Sequence, residues 1–153
     1  MAVRQLRMFD DEILRKQCKE VTVIDEKVKC LIKDMAETLY TKEDAVGLAA
    51  CQVGVLKQIV VIDMGDGLLK LINPKIVAVE GAQECVEGCL SFPGRVGKTI
   101  RPQCVTIQAL DENGKAFEMV GEGELAKCFC HEIDHLNGKL FLDEVIEFID
   151  FNE

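Results

Sequence analysis

Hydrophobic residues recur at helical spacing in two segments of the chain. The first segment follows Asp25, a favourable N-cap residue, and continues to about Tyr40. Its apolar positions are Val28, Leu31, Ile32, Met35 and Leu39. The second segment starts near Glu122 and is followed by the helix-stop pair Asn137-Gly138. Its apolar positions are Leu125, Phe129, Ile133 and Leu136. The pattern therefore predicts two amphipathic helices, of which the first is scaffold.

Short β-branched and aliphatic runs separate the two predicted helices and indicate strands. These runs occupy residues 58–64, 68–73, 76–79, 96–100, 105–110 and 115–120. The glycine-rich residues 65–67 and the pair Asn113-Gly114 are typical of hairpin turns. Residues 140–151 read as a short amphipathic closing segment. Because the strands do not alternate with helices, the predicted fold is α+β, with mainly antiparallel sheets around the second helix and the first helix packed outside.

Composition narrows the class of protein. The chain has 153 residues, which predicts a single domain over residues 1–153. Its net charge of −9 argues against direct binding of nucleic acid, which needs a surplus of Lys and Arg. The N-terminus lacks an apolar signal core, and no apolar run is long enough to span a membrane. We therefore expect a protein of the bacterial cytoplasm.

Eight cysteines in a chain of this size would suit a disulfide scaffold if the protein were secreted. Without a signal peptide, the thiols are expected to stay reduced. Most of them then serve as small core hydrophobes, an interpretation that applies to Cys18, Cys30, Cys85 and Cys104.

The second predicted helix carries the pattern His131-Glu132-Ile133-Asp134-His135. Two histidines four residues apart lie on one face of a helix, where both can bind one cation. Glu132 is placed to take a proton from a water at that cation. The chain has only two histidines, and both belong to this pattern. The pattern predicts a metal site beside the core, against the alternative of a surface helix with solvated histidines.

Cys89, in the segment 87–91 (Glu-Gly-Cys-Leu-Ser), is a candidate third ligand. Two imidazoles, one thiolate and an open position make a catalytic tetrahedral site. A structural zinc module is the rival interpretation, because Cys85 would close a four-ligand site with Cys89, His131 and His135. Cys128-x-Cys130 offers a similar pair. A structural role would leave Glu132 without a purpose.

Three motifs together carry a resemblance to a known family. They are Gly-Leu-Ala-Ala-Cys-Gln at 47–52, Glu-Gly-Cys-Leu-Ser at 87–91 and His-Glu-Ile-Asp-His at 131–135. In this order and spacing the chain resembles the peptide deformylases, and the resemblance extends over nearly its whole length. It implies a metal-dependent hydrolase that removes the N-formyl group from the formylmethionine of newly made peptides and releases formate.

The resemblance also implies roles for individual residues. One divalent metal ion would be bound by Cys89, His131 and His135, with Fe²⁺ as the working ion and Zn²⁺, Ni²⁺ or Co²⁺ able to replace it. Ligand type alone would favour zinc. The catalytic groups would be the base Glu132 together with two donors to the developing oxyanion, the Gln52 side chain and the Leu90 backbone N–H. The substrate would lie against Val46, Gly47 and Leu90.

The implied partners are N-formylmethionyl nascent peptides, with a transient ribosome contact. Many bacterial members of the family continue into a basic C-terminal helix that docks on the ribosome. The present sequence stops before such a helix, so that docking mode is not expected.

The sequence departs from the family pattern at three positions. The family usually has glycine at the position of Ala45, proline or a small aliphatic residue at Cys51, and glutamine at Cys130. An added Cβ at Ala45 would obstruct a position that needs a positive φ or direct contact with substrate. Altered substrate choice or binding without turnover therefore stays open. Asp134 either orients a histidine or neighbouring backbone or is a solvated helix carboxylate.

Overall fold

A computed structural model describes residues 2–149, and it contains two α-helices and eight strands in that range. The α-helices are α1 (Glu26–Tyr40) and α2 (Glu124–Leu136). The strands are β1 (Gly47–Ala49), β2 (Ile59–Asp63), β3 (Leu68–Glu80), β4 (Gln83–Cys89), β5 (Phe92–Arg101), β6 (Cys104–Leu110), β7 (Ala116–Glu122) and β8 (Glu147–Ile149). Short 3-10 helices lie at Glu12–Arg15, Ala50–Val53 and Phe141–Asp143.

The strands form two antiparallel sheets. The larger has the order β1-β2-β3-β6-β7, and the smaller has the order β4-β5-β8. The α+β class with mainly antiparallel sheets is therefore confirmed.

Strand β2, the second strand of the larger sheet, is buried on both faces and separates two parts of the core. Val60 and Ile62 pack with α2, whereas Ile59 and Val61 pack with α1. The two helices thus cover opposite faces of the larger sheet, which explains why β2 reads as an unbroken apolar run. On the outer helix, the side chain of Asp25 accepts a hydrogen bond from Val28 N at 3.0 Å, which confirms the predicted N-cap.

Strand β3 is one strand where the sequence predicts two, at 68–73 and 76–79. Asn73 has a φ of 52°, and the register of β3 with β6 shifts between Ile72 and Lys75. The Asn73 side chain donates to Val21 O at 2.9 Å and accepts from Val21 N at 2.8 Å. These bonds compensate for the irregularity, so the chain continues across Pro74 as one bulged strand.

Strand β4 was not predicted, because its apolar pattern is inverted. Cys85 and Glu87 are buried, whereas Val86 between them is half exposed. Strand β8 lies within the predicted closing segment 140–151, whose last two residues lie outside the described part of the chain.

All eight cysteines are free thiols. Cys18 and Cys85 are buried as predicted, and Cys104 is half-buried. The prediction is wrong for Cys30, which is exposed on the solvent side of α1. Over residues 2–149, no helix is both long and apolar enough to cross a membrane.

Candidate metal-dependent active site

Three potential metal ligands meet where the end of β4 approaches α2. The ligand atoms of Cys89, His131 and His135 all lie within 4.8 Å of one another. The Cys89 Sγ is 3.4 Å from His135 Nε2. One helical turn between the histidines brings their ring centroids to 5.0 Å. No other cluster of three such side chains occurs within residues 2–149.

This donor set fits a divalent cation. Metal–sulfur and metal–nitrogen bonds of about 2.3 and 2.0 Å place two tetrahedral ligands about 3.5 Å apart, close to the separation of Cys89 and His135. One thiolate and two imidazoles leave a tetrahedral ion with one further position, the arrangement of a catalytic site.

The rival structural zinc module, with two cysteines and two histidines as ligands, does not form. Cys85 does not belong to the ligand cluster. It precedes Cys89 by four residues of an extended strand, a distance of about 13 Å. Cys128 and Cys130, two apart on α2, point in different directions and are also outside the cluster. The cluster therefore contains three potential protein ligands within residues 2–149.

Glu132 lies beside the ligands with only 4% of its surface exposed. Burial raises the pKa of its carboxyl to about 7, because the charged form loses hydration. Its Oε1 is buried without a hydrogen-bond partner among the described residues. A carboxyl with a pKa near neutrality and a free oxygen is suited to accept and return a proton.

Gly47 makes room for this carboxyl. A Cβ at position 47 would lie 2.8 Å from Glu132 Oε2 and 3.0 Å from Cys128 Sγ. Any larger residue would displace the Glu132 side chain. The glycine is thus explained by close approach of β1 to α2.

A buried acid supports His131 from behind. Glu87 Oε1 lies 2.9 Å from His131 Nδ1, and Arg101 contacts Glu87 through Nε at 2.7 Å and through NH2 at 3.0 Å. Thr99 Oγ1 also donates to Glu87. Burial by itself would raise the pKa of Glu87, but the bonds from His131, Arg101 and Thr99 lower it to about 2. An ionised Glu87 that bonds to Nδ1 of His131 leaves Nε2 available to bind a metal ion.

Sequence reasoning missed this network. Glu87 enters the sequence analysis only as part of the segment 87–91, and no sequence pattern singles out Arg101. The alternation of Cys85 and Glu87 on one face of a strand could have indicated a buried acid. The network also answers the question about Asp134, because Asp134 Oδ2 accepts from Arg101 NH1 at 2.9 Å. Asp134 is thus a partly buried partner of Arg101, and its contact with His131 is indirect, through Arg101 and Glu87.

The Gln52 side chain lies next to Cys89 and is held by two further hydrogen bonds. Its Oε1 accepts from Ala49 N at 3.0 Å, while Nε2 donates to Ser91 Oγ at 3.1 Å and lies 3.5 Å from Cys89 Sγ. The amide is almost fully buried, so its donors have a defined direction.

The ligands and the acid open into a cleft of about 670 Å³. Of the residues predicted for the site, those that line this cleft are Val46, Gly47, Gln52, Cys89, Leu90, His131 and Glu132. His135 lies deeper and does not line it. Residues 41–46 and 92–96 also line the cleft.

The departures from the family pattern cause no strain. Among the non-glycine residues described, only Asn73 has a positive φ, so Ala45 does not occupy a left-handed position. Cys51 is buried and its Sγ lies 3.5 Å from the carbonyl of His135. Burial raises the pKa of Cys130 to about 11, which keeps this thiol protonated and unreactive.

Comparison with known proteins gives one consistent result. Residues 3–149 match the model of the family described as polypeptide deformylase. Peptide deformylase 2 of Clostridium acetobutylicum is 56% identical over 97% of this chain and 99% of its own length. The peptide deformylase of Acetivibrio thermocellus is 57% identical over all of this chain and 89% of its own length.

Solved structures agree with these relatives. The crystal structure of peptide deformylase from Thermotoga maritima is 40% identical and superposes with a TM-score of 0.90, covering 94% of this chain and 97% of that one. A Synechococcus elongatus peptide deformylase in complex with actinonin is 45% identical with a TM-score of 0.88, covering 92% and 77%. The chain therefore belongs to the polypeptide deformylase family.

Proposed function

We propose that this protein hydrolyses the N-formyl group of nascent formylmethionyl peptides with Glu132 as the general base. The activity follows from the family, since relatives of 54–57% identity over nearly the full chain are peptide deformylases. The observation that carries the mechanism is the cluster at the base of the cleft, where three metal ligands adjoin a buried acid and an amide donor. We treat residues 1–153 as a single catalytic domain.

Cys89, His131 and His135 are the residues that would hold the metal ion. When bound, a divalent cation supplies Lewis acidity, which polarises a carbonyl and makes a water more acidic. We propose ferrous iron as the working ion, with zinc, nickel or cobalt as replacements. A thiolate ligand makes such a site sensitive to oxidation.

Glu132 takes a proton from the attacking water, whose oxygen forms a bond to the formyl carbon. The negative charge that develops on the formyl oxygen is stabilised by the Gln52 amide and the Leu90 backbone N–H. One donor of this kind contributes about 3 kcal/mol in the transition state. Glu132 then delivers its proton to the leaving amine as the C–N bond breaks, and formate and the free amino terminus are released.

The walls of the cleft suit an extended peptide. Val46, Gly47 and Leu90 line the cleft. The methionine and the backbone after it would be held against these residues. We propose that the protein meets its substrate in the bacterial cytoplasm through transient contact with the ribosome, where formylated chains emerge. The proposed roles of these residues rest on their position in the cleft.

The experiment measures formate release from a formyl-methionyl dipeptide by protein prepared anaerobically with Fe²⁺. Glu132→Gln should lower kcat about 10²- to 10⁴-fold, the usual contribution of a general acid–base group. Its metal content should stay unchanged, because Glu132 is not a ligand. Glu124→Gln, at an exposed position in the first turn of the same helix, is the matched control and should keep full activity.

The two parts of the proposal fail separately. Wild-type protein that binds metal but releases no formate would contradict the activity. Full turnover by Glu132→Gln would leave the activity intact and reject Glu132 as the base.

A further inference from the structure

The N-terminal residues 2–11 cross the molecule from α1 to the active site. At the start of this path, Ala2 N donates to Asp34 Oδ1 at 2.8 Å, and Arg4 NH2 pairs with Asp34 Oδ2 at 2.8 Å. Arg4 N also donates to Thr38 Oγ1 at 2.8 Å. Residues 4–9, called the N-terminal strap below, are thus anchored on α1 at one end.

The other end of the strap bonds to both segments that carry the proposed oxyanion donors. Arg7 N donates to Gln52 O at 2.7 Å, and Phe9 N donates to Ser91 O at 2.8 Å. Gln52 and Ser91 also contact each other directly through Nε2 and Oγ at 3.1 Å. Two residues of the strap therefore bridge the backbones of the two segments whose side chains already meet.

Aromatic contacts continue from the strap into the site. The centroid of the Phe9 ring lies 4.3 Å from that of Phe92, a residue that lines the cleft. The rings of Phe92 and Phe141 meet edge-on, with their centroids 6.2 Å apart. The Phe141 ring stacks on the His131 ring, with their centroids 6.0 Å apart. Phe9 itself is 50% exposed, so its ring contributes little to the core.

We propose that the N-terminal strap is a positioning element for the deformylation reaction, acting through Gln52 and the segment 89–92. This inference rests on the proposed function of Gln52 and Leu90 as oxyanion donors. The strap sets the separation of the two donors by bonding to both backbones. A displacement of about 1 Å between catalytic groups can cost about 100-fold in rate. A strap that only stabilised the fold would affect unfolding without affecting kcat.

Phe9→Pro tests the bond to Ser91. Asp11 N donates to Met8 O at 2.8 Å, so Phe9 is the second residue of a turn, a position that accepts proline. Proline removes the N–H that donates to Ser91 and also removes the ring. Phe9→Ala is the matched control, because it removes the ring but keeps the N–H. Phe9→Leu restores apolar contact with Phe92 and keeps the N–H as well.

The expected result is a kcat for Phe9→Pro about tenfold below that of Phe9→Ala, with KM of the dipeptide changed less than about twofold. Phe9→Leu should approach wild type. Assays are run well below the thermal midpoint of each variant, so that folded protein is compared. Equal kcat values for the proline and alanine variants would overturn the proposal, as would a change confined to KM.

Amide hydrogen exchange supplies a readout that does not depend on turnover. Residues 49–54 and 89–92 should exchange faster in Phe9→Pro than in Phe9→Ala, while α1 stays equally protected in both. Unchanged exchange in those two segments would also overturn the proposal. If the wild-type protein released no formate, the proposed function would fail, and the exchange data would still decide whether the strap orders the two segments.

Discussion

The two α-helices follow the same amphipathic rule but bury different chemistry. On α1, the buried polar groups of Asp34 and Thr38 are bonded to the N-terminal strap and to the helix backbone. On α2, Glu132 Oε1 and His135 Nδ1 are buried with no hydrogen-bond partner among the described residues. One helix satisfies its buried polar atoms, and the other leaves two of them unsatisfied beside the ligand cluster.

This difference separates a scaffold from a site. A buried polar group without a partner costs about 1–3 kcal/mol. Folding alone does not favour such a cost, and the unsatisfied Glu132 Oε1 lies beside the ligand cluster, where the proposed mechanism needs a proton acceptor. The apolar stripe of each helix does not distinguish α1 from α2, whereas the bonding of their buried polar atoms does.

The largest effect should come from removing a ligand. Cys89→Ser replaces the thiolate, and we expect metal affinity to fall at least about 100-fold, more than the loss of a group that only supports a ligand. Cys85→Ser, on the same strand but outside the ligand cluster, is the control and should bind metal normally. Metal titration of both proteins makes the comparison. Loss of metal in Cys85→Ser would instead favour the structural zinc module.

Glu87→Gln should have the next largest effect, because this buried acid of β4 orients His131 on α2. The change weakens the hold on His131 and leaves Arg101 buried with Asp134 alone. Metal affinity should fall about 10- to 100-fold, and the free energy of unfolding should fall by about 3–5 kcal/mol. Glu84→Gln is the control, because it removes an exposed carboxylate near the start of β4. It should change the free energy of unfolding by less than about 0.5 kcal/mol. Equal unfolding curves for the two variants would contradict the role of Glu87.

On α1 the corresponding change is Asp34→Asn, which should affect stability and not chemistry. The backbone N–H of Ala2, followed by Arg4, lowers the pKa of Asp34 below its ordinary value of 3.8. A lowered pKa in the folded state stabilises the protein above the unfolded pKa, and this contribution is lost as pH falls through the folded value. The variant should be about 1 kcal/mol less stable at pH 7.

The pH dependence identifies the cause of that difference. Chemical unfolding should show the gap between wild type and Asp34→Asn narrowing as pH falls below about 4. A gap that stayed constant down to pH 2 would mean that the charge of Asp34 is not responsible.

The smallest effect is expected for Ala45→Gly. Ala45 has no positive φ, so glycine relieves no strain there. We expect kcat/KM on the formyl dipeptide to change less than about twofold, within the range of an ordinary surface substitution. A tenfold gain would show that the Cβ of Ala45 contacts the substrate.

Much of the fold was predictable from local pattern. Both helices and most strands were placed within a few residues, because their apolar periods are regular. Strand β4 was missed because its buried positions are Cys85 and Glu87 and its exposed one is Val86. A period-2 pattern read by hydrophobicity cannot reveal a strand whose inner face is polar.

The sequence alone indicates which residues can bind a metal ion and in what order they occur along the chain. The spacing of His131 and His135 defines a pair on any helix, and the motifs identify the family. The folded structure is needed to see that Cys89 lies beside that pair and Cys85 does not. It is also needed to see that Glu87 and Asp134 both pair with Arg101. Those choices depend on how β4 and β5 pack against α2, and contacts between residues distant in the chain are not encoded in any local period.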